Sequence, residues 1–179
     1  MFSFHLDVES EIAHFKDPTS HAFLNTFLAP SPHTIIGFLG ACSGFSEKET
    51  EELTKKVKVG CIALHIKGFL KDLVIMDNQK GKQIVKFPRT RKFLVGPKYR
   101  LFIAAENQEL LTRLSQDISS PKHIPYLGIS DCLAYIRNIS KIKTARPIQL
   151  KDTESMIGVE EGQPDLEFYT KIKNKQYIF

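Results

Sequence analysis

The first residues of the chain alternate between apolar and polar side chains. Phe2, Phe4, Leu6 and Val8 are separated by Ser3, His5, Asp7 and Glu9. Because successive side chains of a strand point to opposite faces, this alternation predicts a strand with one buried face and one face in water. Residues 14–32 show no periodicity and contain three prolines, which predicts a long loop.

Residues 30–44, PSPHTIIGFLGACSG, allow two interpretations. In the first, Gly40, Cys42 and Gly44 form G-x-C-x-G, the cysteine form of the nucleophile elbow of a hydrolase. An elbow needs a strand directly before the nucleophile and a helix directly after it, whereas prolines precede this motif and a glycine ends it. The sequence context therefore favours a buried, inert Cys42.

The second interpretation is a helix that begins at Pro32 and ends at Gly44, with Ser31 as its cap. Its small residues, Gly37, Gly40, Ala41 and Gly44, recur at helical spacing. One side of the helix is then nearly bare backbone, against which the sheet or a ligand backbone can pack, and packing by the sheet is the simpler explanation. The N-terminus at His33 and Thr34 is available to a phosphate through free N–H groups and the helix dipole.

Further elements follow along the chain. Ser46 and Glu49 have the spacing of a capping box, which predicts a short exposed helix. Residues 57–76 are rich in Val, Ile and Leu and predict a long central strand. Leucines at helical spacing after Asn107 predict an amphipathic helix. Additional strands are predicted within residues 126–139 and 165–179.

Residues 77–100 separate two strand-like segments and predict a β-hairpin, with a turn at residues 79–81 and a break at Pro88. Without this hairpin the order of elements is close to β-α-β-β-α-β. The predicted class is therefore α+β, with a ferredoxin-like (RRM-like) βαββαβ fold that carries a projecting hairpin. This places one domain at residues 1–140 and a C-terminal extension of short strands at residues 141–179.

Positive charge changes this picture. The net charge of +5 is concentrated in residues 77–100, where Asp77 is the only acid. The basic residues of that segment are Lys80, Lys82, Lys86, Arg89, Arg91, Lys92, Lys98 and Arg100. A second acid-free run, residues 133–150, adds Arg137, Lys141, Lys143 and Arg146. Clustered cations indicate either a solvated face or a polyanionic partner, and the interleaved aromatic residues Phe87, Phe93 and Tyr99 favour unpaired RNA.

Several classes of protein are disfavoured by the remaining composition. Cys42, Cys61 and Cys132 lack the paired spacing of disulfide frameworks and of zinc sites. The six histidines include no i, i+4 pair, so the sequence predicts neither a metal site nor a cofactor. The N-terminal region lacks a basic segment, and no apolar run reaches membrane-spanning length. These features predict a cytoplasmic protein that does not bind membranes.

One further cluster has the residue types of a metal-independent ribonuclease. Lys122 and His123 are adjacent, and Tyr126 is near in sequence. A histidine can act as general acid or base while a lysine stabilises phosphate charge. The alternative, an ordinary polar loop between Pro121 and Pro125, is favoured.

Four segments together resemble CRISPR-associated protein family 5, a subunit of the type I Cascade complex and a member of the RAMP superfamily. They are AHFKDP, PSPHTIIGFLGACSG, TRKFLVGPKYRLFIA and YLGISDCLAYI, and the resemblance covers residues 2–136. The glycine segment is the most specific part, because the family carries a proline-led start, a hydroxyl residue and a G-x-x-G-x-x-x-G helix. Here those positions are Pro32, Thr34, Gly37, Gly40 and Gly44.

The resemblance implies a ferredoxin-like palm and a basic hairpin called the thumb. It further implies a non-catalytic subunit that holds the 5′ handle of the CRISPR RNA and caps the backbone filament. The implied partners are that RNA, the backbone subunit of CRISPR-associated protein family 7, and the large subunit.

Individual residues carry over as follows. The resemblance implies that His33 and Thr34 face handle phosphates, although His33 stands where the family pattern has Lys or Arg. It implies that Lys86, Arg89, Arg91 and Lys92 belong to the thumb. One branch of the family is itself an endoribonuclease that uses an adjacent Lys-His with a Tyr. Lys122, His123 and Tyr126 are the matching residues for that alternative.

Overall fold

The computed structural model describes residues 1–20, 23–80, 83–145, 156–157, 169–172 and 175–178. The helices in these ranges are α1 (Pro32–Ser43), α2 (Glu47–Thr54) and α3 (Gln108–Ser119). The strands are β1 (Phe2–Glu9), β2 (Ile12–Ala13), β3 (Lys58–His65), β4 (Gly68–Lys80), β5 (Gln83–Val95), β6 (Lys98–Ala105), β7 (Tyr135–Arg137), β8 (Lys143–Thr144), β9 (Met156–Ile157), β10 (Tyr169–Ile172) and β11 (Lys175–Ile178). The predicted α+β class is confirmed.

The main sheet is antiparallel and has the strand order β7-β1-β6-β3-β9, with β8 also paired to β1. The alternation predicted for β1 is confirmed, because Phe4, Leu6 and Val8 are buried. Leu6 lies directly opposite Leu101 of β6, which is also fully buried. One face of the main sheet therefore forms the floor of the hydrophobic core.

Helices α1 and α3 cover this buried face. Leu39 of α1 and Leu111 and Leu114 of α3 are each 0% exposed and belong to the same core cluster as β1 and β6. The side chain of Asn107 accepts hydrogen bonds from the N–H groups of Glu109 and Leu110, so α3 starts at the predicted cap. Within the described residues, no helix covers the opposite face of the main sheet, which holds charged side chains.

The glycine segment forms helix α1, as the second interpretation predicts. Ser31 caps it by accepting a hydrogen bond from the N–H of Thr34, and Gly44 ends it in the left-handed conformation with φ of 66°. A Cβ atom at Gly40 would collide with the side chain of Thr50, which lies on α2. The bare side of α1 is thus packed by α2 at Gly40 and by Lys122 at Gly44, and the prediction that the main sheet packs against these two glycines is wrong.

Strands β4 and β5 form a long antiparallel hairpin, which we call the hairpin. It belongs to a separate sheet of order β2-β5-β4. Residues 57–76 are therefore not one central strand: β3 ends at His65 in the main sheet, and β4 begins at Gly68 in the hairpin. Nor does Pro88 break the hairpin, since β5 continues through it to Val95. The uniform apolar composition of the segment concealed the boundary between the two sheets.

The C-terminal part adds short strands. β8 and β9 pair with β1 and β3 of the main sheet, and β10 pairs with β11. Gly81 of the predicted turn, Arg146 of the second basic run, and much of the predicted extension at residues 141–179 lie outside the described residues. In the described part of the chain, no helix is long and apolar enough to cross a membrane.

Candidate nucleic-acid interface

The register of the hairpin divides its side chains between two faces. Paired residues of antiparallel strands share a face, and the faces alternate along each strand. The face that we call the arginine face carries Asp72, Val74, Met76, Phe87, Arg89 and Arg91. The face that we call the lysine face carries Phe69, Lys71, Leu73, Ile75, Asp77, Lys86, Pro88, Thr90 and Lys92. The four cations predicted for the thumb are thus split into two pairs.

On the arginine face, the two guanidinium groups have no carboxylate partner among the residues that the structure describes. Asp72 lies opposite Arg91 in the register, but its carboxylate accepts a hydrogen bond from the N–H of Leu73 instead. Arg89 lies over the ring of Phe87, with its Cζ 4.7 Å from the ring centroid. Such a ring holds the guanidinium in a defined plane without neutralising its charge. The planar guanidinium of Arg89 is therefore prepared for bidentate hydrogen bonds to an anionic ligand such as a phosphate.

The lysine face combines cations with exposed apolar side chains. The Nζ atom of Lys92 lies 3.8 Å from the centroid of the Phe69 ring. Lys86 and Lys71 are exposed, while Leu73 and Ile75 are 67% and 73% exposed. In the described part of the chain, none of these three lysines forms an ion pair with a carboxylate.

The long loop before α1 fixes the base of the hairpin. The N–H of Leu24 donates to the carbonyl of Thr90, and the N–H of Lys92 donates to the carbonyl of Leu24. The Nδ1 atom of His14 lies 2.8 Å from the carbonyl oxygen of Lys92. Burial, opposed in part by this hydrogen bond, lowers the pKa of His14, and the charge of Arg91 acts in the same direction as burial. The loop therefore anchors the strand that carries the arginines, as a long ordered loop often does.

Lys98 and Arg100 lie elsewhere, on the open face of the main sheet, and both are paired with acids. Arg100 binds Asp7 through two hydrogen bonds of 2.7 and 2.9 Å. The Nζ atom of Lys98 lies 3.0 Å from Glu9 Oε2, while Arg137 donates to Glu9 Oε1 at 3.0 Å. Hydrogen bonds from these cations hold the pKa of Asp7 and of Glu9 below their ordinary values. The charge on this face is thus largely compensated.

The pair between Asp7 and Arg100 predicts a pH dependence of stability. A carboxyl whose folded pKa is depressed stabilises the protein at pH above its unfolded pKa, and that stability is lost as pH falls through the folded pKa. We expect Asp7→Asn to lower the free energy of unfolding at pH 7 by about 1 kcal/mol and to weaken its decline in acid. Urea unfolding between pH 2 and 7 measures this, and Glu51→Gln on exposed α2 is the matched control. Equal acid dependence in Asp7→Asn and the unmodified protein would contradict it.

His33 and Thr34 are at the N-terminus of α1, where sequence reasoning placed them. His33 is exposed, and Thr34 is partly buried with its hydroxyl 3.0 Å from that of Ser31. Pro32 has no N–H, and the N–H groups of Thr34 and Ile35 already donate to Ser31. Within the described residues, the backbone N–H of His33 is thus the donor of the first turn left for a ligand.

Cys42 lies in the third turn of α1 and is fully buried. A nucleophile elbow places its reactive residue between a strand and a helix, so the hydrolase interpretation is wrong. Burial, followed by the charge of Asp117, raises the pKa of this thiol to about 12. Its role is to fill space in the core.

The burial of the cysteines gives a direct chemical prediction. Cys42, Cys61 and Cys132 are 0%, 2% and 0% exposed. Burial raises the pKa of all three, to about 11 for Cys132. Because alkylation requires an accessible thiolate, we expect iodoacetamide at pH 8 to leave the native protein unmodified and to label all three sites in denaturant. Mass spectrometry reads both states, and rapid labelling of native Cys42 would contradict the assignment.

Lys122, His123 and Tyr126 follow α3 in an exposed loop. The backbone N–H of Lys122 donates to the carbonyl of Cys42, and its aliphatic chain covers Gly44 at the end of α1. Tyr126 forms an isolated β-bridge with Leu133. Within the described residues, no hydrogen bond links the three side chains. Their role in RNA cleavage stays a prediction.

Sequence reasoning missed the part of the hairpin that β4 supplies. Lys71 joins the cations of the lysine face, and Phe69, Leu73 and Ile75 are exposed although a long apolar run normally predicts burial. Residues 69–76, FLKDLVIM, do not alternate between apolar and polar side chains, so their periodicity did not reveal a strand with two exposed faces.

The fold is similar to that of solved CRISPR proteins. A chain of a CRISPR RNA-guided surveillance complex has a TM-score of 0.57 and 16% identity over 73% of this chain and 59% of that chain. A chain of the Type III-B Cmr-beta complex bound to cognate target RNA has a TM-score of 0.53 and 17% identity, over 77% and 60% of the two chains. This chain therefore spans less than two thirds of either relative. Among curated proteins, none matches this chain in sequence.

These similarities show a shared α+β fold, with which the antiparallel main sheet and the three described helices are consistent. The family is defined by sequence. The family model described as CRISPR-associated protein (Cas_Cas5) matches residues 4–174, and this chain belongs to that family. The resemblance found in the sequence is thereby confirmed.

Proposed function

We propose that this protein is a non-catalytic subunit of a CRISPR RNA-guided effector complex. In this role it holds the 5′ handle of the CRISPR RNA and caps the backbone filament of a type I Cascade. Its partners are the CRISPR RNA, the backbone subunit of CRISPR-associated protein family 7, and the large subunit. Membership of the family supports the assignment to CRISPR systems, and the distribution of charge supports RNA as the ligand.

The observation that carries this proposal is the contrast between two sets of cations. Lys98, Arg100 and Arg137 on the main sheet are compensated by Asp7 and Glu9. The hairpin cations, Lys71, Lys86, Arg89, Arg91 and Lys92, have no such partners among the described residues. Uncompensated charge attracts a polyanion and releases its counterions on binding, whereas a paired cation must first lose its partner. The hairpin is therefore the stronger candidate for phosphate contacts.

Arg89 and Arg91 are proposed as the principal RNA contacts. Both occupy the arginine face at alternate positions, roughly 7 Å apart along an extended strand. That spacing is close to the distance between successive phosphates of an extended RNA strand. The Nε atom of Arg91 is buried without a hydrogen-bond partner, and the Arg91 Cζ lies 6.0 Å from the Phe93 ring centroid. Lys86 and Lys92, which lie on β5 and not on the outer edge of β4, then contact RNA beside that strand.

The remaining predicted residues have secondary roles in this proposal. The exposed His33 and the hydroxyl of Thr34 approach a phosphate at the start of α1. Arg100 and Lys98 contribute only when RNA displaces their carboxylate partners. Lys122 covers the end of α1, which supports a structural role for that residue over a catalytic one.

The palm and thumb are also part of the proposal. The order β7-β1-β6-β3 corresponds to the 4-1-3-2 order of a ferredoxin-like βαββαβ sheet once the hairpin is set aside, which supports a palm within residues 1–140. The hairpin corresponds to the thumb. Residues 141–179 form an extension whose short strands β8 and β9 add to the main sheet.

Binding to repeat RNA tests the proposal. The purified protein is titrated with labelled RNA that carries the 5′ handle and with the same RNA in which the handle sequence is scrambled. We expect tighter binding to the handle and no cleavage in EDTA. Equal affinity for both RNAs would show a general RNA-binding surface and would contradict handle recognition. A cleaved product that is lost in His123→Ala would establish the endoribonuclease alternative instead.

A further inference from the structure

Strand β4 is the outer edge of the hairpin sheet. The order β2-β5-β4 leaves its second side unpaired, and within the described residues no strand pairs there. Its register with β5 runs without a shift from Gly68 to Lys80, a length of 13 residues. β4 also contains no proline. Natural proteins usually shorten, bulge or cover such an edge, because it is a template for another strand.

The hydrogen bonds of β5 show which groups of β4 face outward. The carbonyl of Thr90 and the N–H of Lys92 are bonded to Leu24, on the side of β5 away from β4. Because these directions alternate along a strand, Arg91 directs its N–H and C=O toward β4. Lys71 and Leu73, opposite Lys92 and Thr90, therefore direct theirs away from the hairpin. By the same alternation, so do Phe69 and Ile75.

The residues with outward backbone groups also carry the exposed apolar side chains of the lysine face. Phe69, Leu73 and Ile75 are 52%, 67% and 73% exposed. An added strand would thus gain main-chain hydrogen bonds along the edge and apolar contacts on the adjacent face. At Leu73 its carbonyl would replace the Asp72 carboxylate, which accepts the hydrogen bond of the Leu73 N–H. In strand addition, main-chain hydrogen bonds to an unpaired edge provide affinity, and contacts with alternate side chains provide specificity.

The chemistry of this face favours a protein over a nucleic acid. The ammonium of Lys92 already covers the ring of Phe69, and Leu73 and Ile75 are aliphatic and offer no ring on which a base stacks. Lys71, Lys86 and Lys92 outnumber Asp77 on this face. Charge complementarity therefore calls for acidic side chains in the occupant.

We propose that the outer edge of β4 accepts an extended segment of another protein subunit by β-strand addition. On the side that it turns toward the lysine face, the segment carries apolar residues, which cover Leu73 and Ile75, and an acidic residue, which faces Lys71. This interaction goes beyond RNA binding and does not require it, since the arginines occupy the opposite face of the hairpin. The hairpin then joins RNA on one face to protein on the other.

A model peptide and two substitutions of Leu73 test the proposal. The probe is a fluorescein-labelled ten-residue peptide in which every second residue is threonine and the residues between are valine and glutamate in turn, so that valine and glutamate share one face; it is titrated by anisotropy at low salt. Leu73→Thr removes the apolar contact and keeps the outward N–H. Leu73→Pro removes both, and proline is tolerated where an edge N–H faces solvent. We expect the threonine variant to bind more weakly than the unmodified protein, and the proline variant to bind roughly tenfold more weakly than the threonine variant.

Amide exchange and RNA competition complete the test. Peptide should slow hydrogen exchange at Lys71 and Leu73 and leave exchange at Val74, whose N–H faces β5, unchanged. Handle RNA bound by both Leu73 variants with unchanged affinity would show an intact hairpin. No binding at 1 mM peptide, or equal binding by the two variants, would overturn strand addition. Two other results would also overturn the proposal. Displacement of the peptide by RNA would assign the face to nucleic acid. Self-association that is lost in Leu73→Pro would assign it to a second copy of this protein.

Discussion

Reversing the charge of Arg89 and Arg91 together should weaken binding of handle RNA by roughly 100-fold or more, since each charge-assisted hydrogen bond contributes about 1.5–3 kcal/mol and two of them are lost. The salt dependence should also become shallower, by about 1.4 in the slope of log affinity against log salt concentration, because two phosphate contacts to single-stranded RNA are removed. Titration of Arg89→Glu/Arg91→Glu with labelled RNA at several salt concentrations measures both quantities. The two arginines have no carboxylate partners among the described residues, so no ion pair of the fold is lost.

The matched control reverses two exposed lysines of α2. Lys48→Glu/Lys55→Glu changes the net charge by the same amount, but its sites lie outside the hairpin. We expect this variant to lose much less affinity than the arginine variant. If both variants lose the same affinity, the effect is one of total charge and the hairpin has no special role. Circular dichroism and urea unfolding of both variants establish that the fold is retained.

Substituting Gly128 with alanine should destabilise the protein by about 3–5 kcal/mol and lower the Tm by about 10 °C. Gly128 has φ of 91°, a conformation that residues with a Cβ rarely adopt. An added Cβ would also collide with the carbonyl of His14, next to the backbone bond from the His14 N–H to the carbonyl of Leu127. Rigid backbone lies on both sides of the contact. Thermal and urea unfolding measure the loss.

Gly37 provides the contrasting substitution. It lies within α1, is exposed, and has no atom within 4 Å of an added Cβ. Alanine is the better helix former, so Gly37→Ala should raise stability by about 0.5–1 kcal/mol. A Gly128→Ala variant as stable as Gly37→Ala would contradict the close packing of Gly128 against the backbone of His14.

The separation of compensated and uncompensated cations gives the molecule an electrical asymmetry. The open face of the main sheet is a network of Asp7, Glu9, Lys98, Arg100 and Arg137 with nearly balanced charge. A face of this kind suits a neutral protein surface better than a polyanion, because a polyanion would have to displace two carboxylates. The cations of residues 77–100 are therefore not equally available to a polyanion. Those from Lys86 to Lys92 lie on the hairpin, whereas Lys98 and Arg100 are neutralised by acids in the main sheet.

Local signals in the sequence predicted local structure well. The alternation from Phe2 to Glu9, the cap at Ser31, the capping box of Ser46 and Glu49, and the cap at Asn107 are all confirmed. In the capping box the hydroxyl of Ser46 accepts from the N–H of Glu49, and the Glu49 carboxylate accepts from the N–H of Ser46. Each of these features depends on contacts between residues within about four positions of each other, so both interacting residues can be identified within one short stretch of sequence.

Features that depend on distant partners were predicted poorly. Residues 57–76 were read as one strand because apolar composition does not report which sheet a strand joins. Lys98 and Arg100 were grouped with the hairpin cations because Asp7 and Glu9 are about 90 positions away in sequence, yet they lie opposite in the register of β1 and β6. Gly40 was expected to face the sheet, whereas Thr50 of α2 covers it.

The sequence by itself determined the class of fold, the positions of the helix ends, the family, and the concentration of basic residues in one segment. Only the tertiary structure decided which of those cations are available. Pairing of β1 with β6 placed two acids beside Lys98 and Arg100. In the hairpin no described carboxylate pairs with Arg89 or Arg91, and the apolar edge of β4 is exposed. Ion pairing and exposure depend on which distant residues lie next to each other, and that is set by the register in which the strands pair.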